Sequence, residues 1–102
     1  MNMFPVRTPV EIVKILGERI RHRRLAANMT QAYLAEKASV SRRALAQLES
    51  GGGSSLTTLA SVLKALGLEE ELIQFIPMPR VSPMTMLSLG KSNRRRATPR
   101  KQ

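Results

Sequence analysis

Apolar residues recur at helical spacing in five successive stretches of the chain, most of which begin at a residue that can cap a helix. The first stretch follows Thr8, where Pro9 suits the first helical position and Glu11 completes a capping box. Its apolar positions are Val13, Leu16, Ile20 and Leu25. We expect this helix to end near residues 27–28, because an asparagine there can adopt the left-handed cap conformation.

Two shorter stretches follow, and the three residues 39–41 separate them. The first is QAYLAEKA, which begins after the capping residue Thr30 and ends before Ser39. The second begins after Ser41, a further cap, and ends at Gly51. Their predicted inward-facing residues are Leu34, Ala35, Ala38, Leu45 and Leu48. Two short helices joined by a tight turn are typical of the helix-turn-helix, whose second helix presents its N-terminal side to a DNA major groove.

Two more helices complete the predicted folded part. Ser55 caps the fourth, and its apolar stripe consists of Leu56, Leu59, Val62, Leu63 and Leu66. The fifth, EEELIQFI, begins with glutamates that suit the positive end of the helix dipole. We therefore expect an all-α domain of five helices over residues 8–77. A flexible arm would precede it at residues 1–7, and a basic, mostly disordered tail would follow at residues 78–102.

The charge of the chain indicates a polyanionic partner. The 102 residues include 17 Lys and Arg but 7 Asp and Glu, for a net charge of +10, which favours nucleic acid as the partner. There is no cysteine and one histidine, and no carboxylates cluster as a catalytic site needs, so we expect neither an enzyme nor a cofactor or metal. Without a long apolar run or a secretory signal, the expected location is the cytoplasm, with no membrane partner.

The predicted second motif helix opens with two arginines, although the N-terminus of a helix favours negative charge. A nucleic acid bound there would supply that charge. The predicted DNA-facing residues are Ser41, Arg42, Arg43 and, one turn later, Gln47. Arginine pairs bidentately with guanine, and glutamine with adenine. The alternative for these positions is a solvated surface.

Residues 16–68 resemble the DNA-binding domain of Cro- and phage-repressor-type (Xre-family) transcriptional regulators. The segments LGERIR, TQAYLAEKASVS, LESG and TLASVLKALGL carry the resemblance, in the order and at the spacing of that family. The resemblance implies a phage-repressor-like domain of five helices that binds DNA sequence-specifically, with the helix-turn-helix at helices 2 and 3. One departure is Ser39, where the family often has glycine, so the turn is expected to be slightly strained.

The resemblance also implies roles for individual residues. Gln31 would bind a phosphate and brace the recognition helix, while Arg42 and Arg43 would touch bases. Arg24 late in helix 1 would pair with Glu49 near the end of helix 3. For the aromatic Tyr33, either packing or a phosphate contact is expected.

Beyond the fifth helix, the segments FIPMPRVSPM, LGK and RRRAT are similar to HipB-like members of the family, which are encoded beside HipA-like kinase toxins. This similarity implies a homodimer that represses its own operon at a palindromic operator and binds a HipA-like kinase or its companion protein. Alternatively, the protein is mainly an antitoxin or interaction protein that binds this partner, and its DNA binding is secondary. The arginines Arg94, Arg95 and Arg96 are expected to contact DNA or the partner. The predicted dimer contact consists of Leu72, Ile73 and Ile76.

Overall fold

The computed structural model of the protein describes residues 6–80, which form five helices and no strand. The predicted all-α class with five helices is therefore confirmed. The helices are α1 (Pro9–Ala26), α2 (Gln31–Ala38), α3 (Arg42–Glu49), α4 (Leu56–Ala65) and α5 (Glu69–Gln74). Most of the expected N-terminal arm and all of the expected tail from residue 81 onward lie outside the described residues.

The predicted caps define where the first four helices begin. Thr8 and Glu11 form the reciprocal capping box, since the Thr8 amide donates to Glu11 at 2.7 Å and the Glu11 amide donates to Thr8 Oγ1 at 3.1 Å. The side chains of Thr30, Ser41 and Ser55 each accept a hydrogen bond from the amide three residues later. Because each cap satisfies an amide that the helix itself leaves unpaired, the short helices start at fixed residues.

The two helices of the helix-turn-helix, α2 and α3, pack against each other and against α4, and α3 also packs against α1. α4 also contacts α5. The buried apolar core consists of Ile20, Leu34, Ala35, Ala38, Leu45, Leu48 and Val62. Ala35 and Ala38 of α2 are buried in this core, as predicted. α3 is thus held by three other helices, which fixes the direction in which its exposed side points.

Three residues of the predicted apolar stripes are exposed, so the stripes are wrong at these positions. Leu16 and Leu25 are each 45% exposed, and α1 buries only Gly17, Ile20 and Arg24. Leu56 is 73% exposed at the first position of α4. α5 is also shorter than EEELIQFI predicts, since it ends at Gln74. Within residues 6–80, no helix combines the length and apolar character needed to cross a membrane.

Candidate nucleic-acid interface

The turn between α2 and α3 depends on a left-handed residue. Ser39 has φ 58° and ψ 39°, a conformation that costs free energy for residues other than glycine. The Ser39 amide donates to the Glu36 carbonyl at 3.1 Å, and the Val40 amide donates to the Ala35 carbonyl at 3.0 Å. These bonds close the C-terminus of α2 and bring the chain round to Ser41, where α3 begins. The strain expected at Ser39 therefore has a structural basis.

One side of α3 is exposed and carries the predicted base-contacting residues. Arg42, Arg43 and Gln47 are exposed, whereas Leu45 and Leu48 are buried on the opposite side. Arg43 and Gln47 are four residues apart, so they are neighbours on the helix surface. The structure thus brings together two guanidinium groups and one carboxamide along the first two turns of α3.

The N-terminus of α3 is strongly electropositive. Its first turn contains no acidic residue, and the partial positive charge of the helix dipole adds to the charges of Arg42 and Arg43. The single acid of α3 is Glu49, which is buried at the other end and forms an ion pair. No carboxylate of α3 is therefore positioned to neutralise the two arginines, and an external anion would complement them.

Hydrogen bonds orient two further residues of this surface. Ser41 Oγ accepts from the Ala44 amide at 2.9 Å, which leaves the hydroxyl proton available to donate to a phosphate. Gln47 Nε2 donates to the Gly52 carbonyl at 3.3 Å. A Cβ on Gly52 would lie 2.7 Å from Gln47 Cγ, so the glycine at this position makes room for the side chain. The loop after α3 therefore contributes to the position of the Gln47 carboxamide.

The other end of α3 is anchored by a buried polar network. Arg24 Nε lies 2.7 Å from Glu49 Oε2, and a second guanidinium nitrogen donates to Glu49 Oε1 at 3.0 Å, so the pair is bidentate. A third nitrogen of Arg24 donates to the Met29 carbonyl at 2.8 Å. Among residues 6–80, no buried polar side-chain atom lacks a hydrogen-bond partner. The network joins the end of α1, the following turn and the end of α3.

The first residue of α2 is also part of this network. Gln31 Nε2 donates to Glu49 Oε1 at 3.1 Å, so the side chain expected to brace the recognition helix does contact its last residue. Gln31 is only half-buried, and part of its surface still faces solvent. Tyr33, two residues further along α2, is exposed and its amide donates to the Thr30 cap.

One residue that positions the interface was not identified from the sequence. Gly17 is buried in the middle of α1, and a Cβ there would lie 2.2 Å from the Leu48 carbonyl oxygen and 3.0 Å from that of Glu49. The backbones of α1 and α3 approach so closely that only glycine fits. An isolated glycine inside a helical pattern costs about 1 kcal/mol of stability relative to alanine, so its presence there indicates a packing or functional reason. The glycine in the middle of the predicted first helix was therefore the signal from which this role could have been inferred. The predicted contacts Arg94, Arg95 and Arg96 lie outside the described residues.

The fold and this surface together define a helix-turn-helix DNA-binding protein. A cationic helix N-terminus is presented by a two-helix motif inside a five-helix domain, which is the arrangement that places a recognition helix in a major groove. The Helix-turn-helix family model HTH_3 matches residues 20–73, just over half of the chain. The protein therefore belongs to this Xre-type family of DNA-binding regulatory domains, and it is a DNA-binding transcriptional regulator. No match to the chain was found among curated proteins.

Proposed function

We propose that this protein is a cytoplasmic, homodimeric repressor that binds a two-fold operator in front of its own operon. The observation that carries the proposal is the contrast within α3. Its acidic residue is buried in an ion pair, while its two arginines are exposed at an N-terminus without any acid in the first turn. Such a surface gains most from a polyanion whose bases offer acceptors to arginine.

Each exposed residue of this surface has a proposed contact. Arg42 and Arg43 donate to the O6 and N7 acceptors of guanine, and Gln47 reads an adenine. Ser41 and Gln31 contact phosphates, because the Ser41 hydroxyl proton and the second hydrogen of Gln31 Nε2, which the bond to Glu49 does not use, remain available to donate. Tyr33, an exposed residue, adds a phosphate contact through its hydroxyl. Phosphate contacts of this kind set the register of a protein on the duplex, and base contacts specify the sequence.

A dimer is proposed because one recognition helix reads too little sequence. α3 contains 8 residues, so it is about 12 Å long. Two copies about 34 Å apart would meet successive major-groove faces on one side of the duplex. The proposed contact consists of Ile73 on α5 (58% exposed), Ile76 two residues beyond its end (72% exposed) and the half-buried Leu72. Exposed apolar side chains at one element are typical of surfaces that bind another protein.

Two experiments test the separate parts of this proposal. Footprinting on the DNA upstream of the gene should show a protected site with two half-sites about one helical turn apart, and absence of any protected site would contradict autorepression. Sedimentation of the protein free and on that DNA should show a dimer at least in the complex. The double change Ile73→Ser and Ile76→Ser should shift the complex to monomer, whereas Leu25→Ser, at an exposed leucine of α1, should not.

A second candidate function is that of an interaction protein that holds a HipA-like kinase or its companion, with DNA binding secondary. The similarity of FIPMPRVSPM, LGK and RRRAT to HipB-like proteins supports it. Affinity capture with the product of the neighbouring gene would separate the two functions. A stable complex that leaves operator binding unchanged would favour the interaction role, and absence of any complex would remove it.

A further inference from the structure

An apolar groove lies between α1, α4 and α5, and no described residue covers it. The residues that line it include Leu16, Leu59, Leu63, Leu68, Leu72 and Phe75. Leu16 is 45% and Phe75 is 59% exposed, although both side chains are apolar. The groove holds about 170 Å³, which is below the roughly 300–1,000 Å³ of a small-molecule site. It therefore suits a few apolar side chains of a protein segment better than a bound metabolite.

The apolar surface continues beyond the groove. Ile12 lies one helical turn before Leu16 and Leu56 lies one turn before Leu59, so each extends the same side of its helix. Both side chains are exposed. Arg19 and Arg23 also line the groove and give it a cationic edge. A segment that covers this surface must be apolar and must not carry positive charge.

We propose that residues 81–89 of this same chain occupy the groove. This segment, VSPMTMLSL, begins directly after the last described residue, Arg80, and has no charged side chain. Its five large apolar residues are Val81, Met84, Met86, Leu87 and Leu89. By contrast, the last part of the chain, residues 91–102, carries six basic residues and no acid, so the arginines at the groove edge would repel it.

The connection to the groove is short. Phe75 lines the groove, and Val81 follows six residues later, a distance that the chain spans up to about 20 Å when extended. The segment can therefore fold back onto its own domain without a second copy. Pro83 disfavours helix at the preceding residue, which suits an extended segment in a narrow groove. Unbranched methionines adapt to an irregular apolar surface.

Docking of this segment has a consequence for the basic end of the chain. Arg94 follows Leu89 by five residues, a span of at most about 17 Å. The arginines of residues 94–96 would then stay close to the domain and add to its electrostatic attraction for DNA, rather than extending far into solvent. Ile73 and Ile76 do not line the groove, so docking leaves these two residues of the proposed dimer contact accessible, whereas Leu72 lines the groove and would be covered. The inference does not depend on the existence of an operator.

A paramagnetic label on Ser88→Cys of the full chain tests the proposal, since the chain has no other cysteine. The NMR amide signals of groove residues such as Leu16 and Leu63 should lose much more intensity than that of Lys37 on α2. In a mixture of label-free, ¹⁵N-enriched chains with unenriched, spin-labelled chains, the groove signals should keep their intensity. Loss of intensity in the mixture would show that a second copy fills the groove, and equal effects at groove and Lys37 would show that the segment does not dock. Either result overturns the proposal.

A matched pair of variants separates docking from general proximity of the tail. The double change Met84→Ser and Leu87→Ser in the labelled chain should restore the groove signals, because it removes two of the apolar side chains that hold the segment in the groove. Neither change lies within the five helices, so the fold itself should be unaffected. The control Thr85→Ser keeps the apolar side chains and should leave the loss of intensity as it was. If the double variant loses groove intensity as strongly as the control, the apolar side chains do not hold the segment and the proposal is wrong.

Discussion

The two ends of α3 differ in almost every physical property. At the C-terminal end, Glu49 is buried and accepts hydrogen bonds from both Arg24 and Gln31, and the backbone touches α1 at Gly17. At the N-terminal end, Arg42 and Arg43 are exposed and face an unfavourable helix dipole. The buried end therefore holds the helix in place, and the exposed end keeps its charge for an external partner. Substitutions at the two ends should affect different quantities.

The largest expected effect on stability is at the buried end. Glu49→Ala leaves the guanidinium of Arg24 buried without its carboxylate, which should lower the free energy of unfolding by about 3–5 kcal/mol. Urea unfolding followed by circular dichroism measures this change. Glu36→Ala is the matched control, since it removes an exposed glutamate of α2, and it should change stability little. Similar losses for the two variants would contradict the anchoring role of the network.

The close backbone contact at Gly17 should produce the next largest effect. Gly17→Ala places a methyl group against the Leu48 carbonyl oxygen, and overpacking of this kind costs about 1–3 kcal/mol. Because the contact is with backbone, α3 should also shift, and DNA affinity should fall together with stability. Glu18→Ala, at the exposed next position of α1, is the control. Full stability and unchanged DNA affinity of Gly17→Ala would show that α1 and α3 need not approach so closely.

The turn between the two motif helices offers a change that should stabilise the protein. Ser39→Gly removes the backbone strain of a serine in the left-handed conformation. The resulting gain in stability is offset in part by the greater backbone entropy of glycine in the unfolded chain. We expect a net rise in unfolding free energy of up to about 1 kcal/mol. Ser50→Gly is the control, because Ser50 has φ −85° and no strain to relieve. Thermal unfolding should show a higher midpoint for the first variant alone.

The smallest stability effect is expected at the exposed end, and its sign is informative. Arg42→Glu places a negative charge at the first position of α3, which should raise the unfolding free energy by about 0.3–1 kcal/mol. The same change should greatly weaken DNA binding, because it replaces a cation at the proposed interface. Lys64→Glu is the control, since it makes the same charge reversal at an exposed residue in the last turn of α4, at the C-terminal end of a helix dipole. It should lower the unfolding free energy slightly. A fall in stability for Arg42→Glu would mean that the arginine makes a structural contact.

The sequence predicted what depends on local interactions. The capping residues Thr8, Thr30, Ser41 and Ser55 act through amides three residues away, so their patterns are visible along the chain. The inward leucines of α3 follow from helical periodicity because other helices surround α3. Periodicity alone does not show where a neighbouring helix ends, which explains the exposure of Leu16, Leu25 and Leu56.

The rest of the candidate site depends on contacts between distant segments. Gly17 is required because two helix backbones cross, and the distance between them is a property of the whole fold. The bond from Gln47 to the Gly52 carbonyl depends on the path of the loop after α3. The partnership of Arg24 and Glu49, which are 25 residues apart, was expected from the family resemblance and not from the spacing of charges. Local patterns thus predict the exposed residues of α3 better than the residues that hold it.

The most direct test of the central claim compares operator with random DNA at a fixed salt concentration. If the exposed end of α3 reads bases, Arg42→Ala and Arg43→Ala should each narrow the free-energy gap between operator and random DNA by about 1–3 kcal/mol, with the fold intact. The control Lys37→Ala, at an exposed lysine of α2, should leave that gap unchanged. If both arginine variants keep the full preference for the operator, α3 is not the recognition helix.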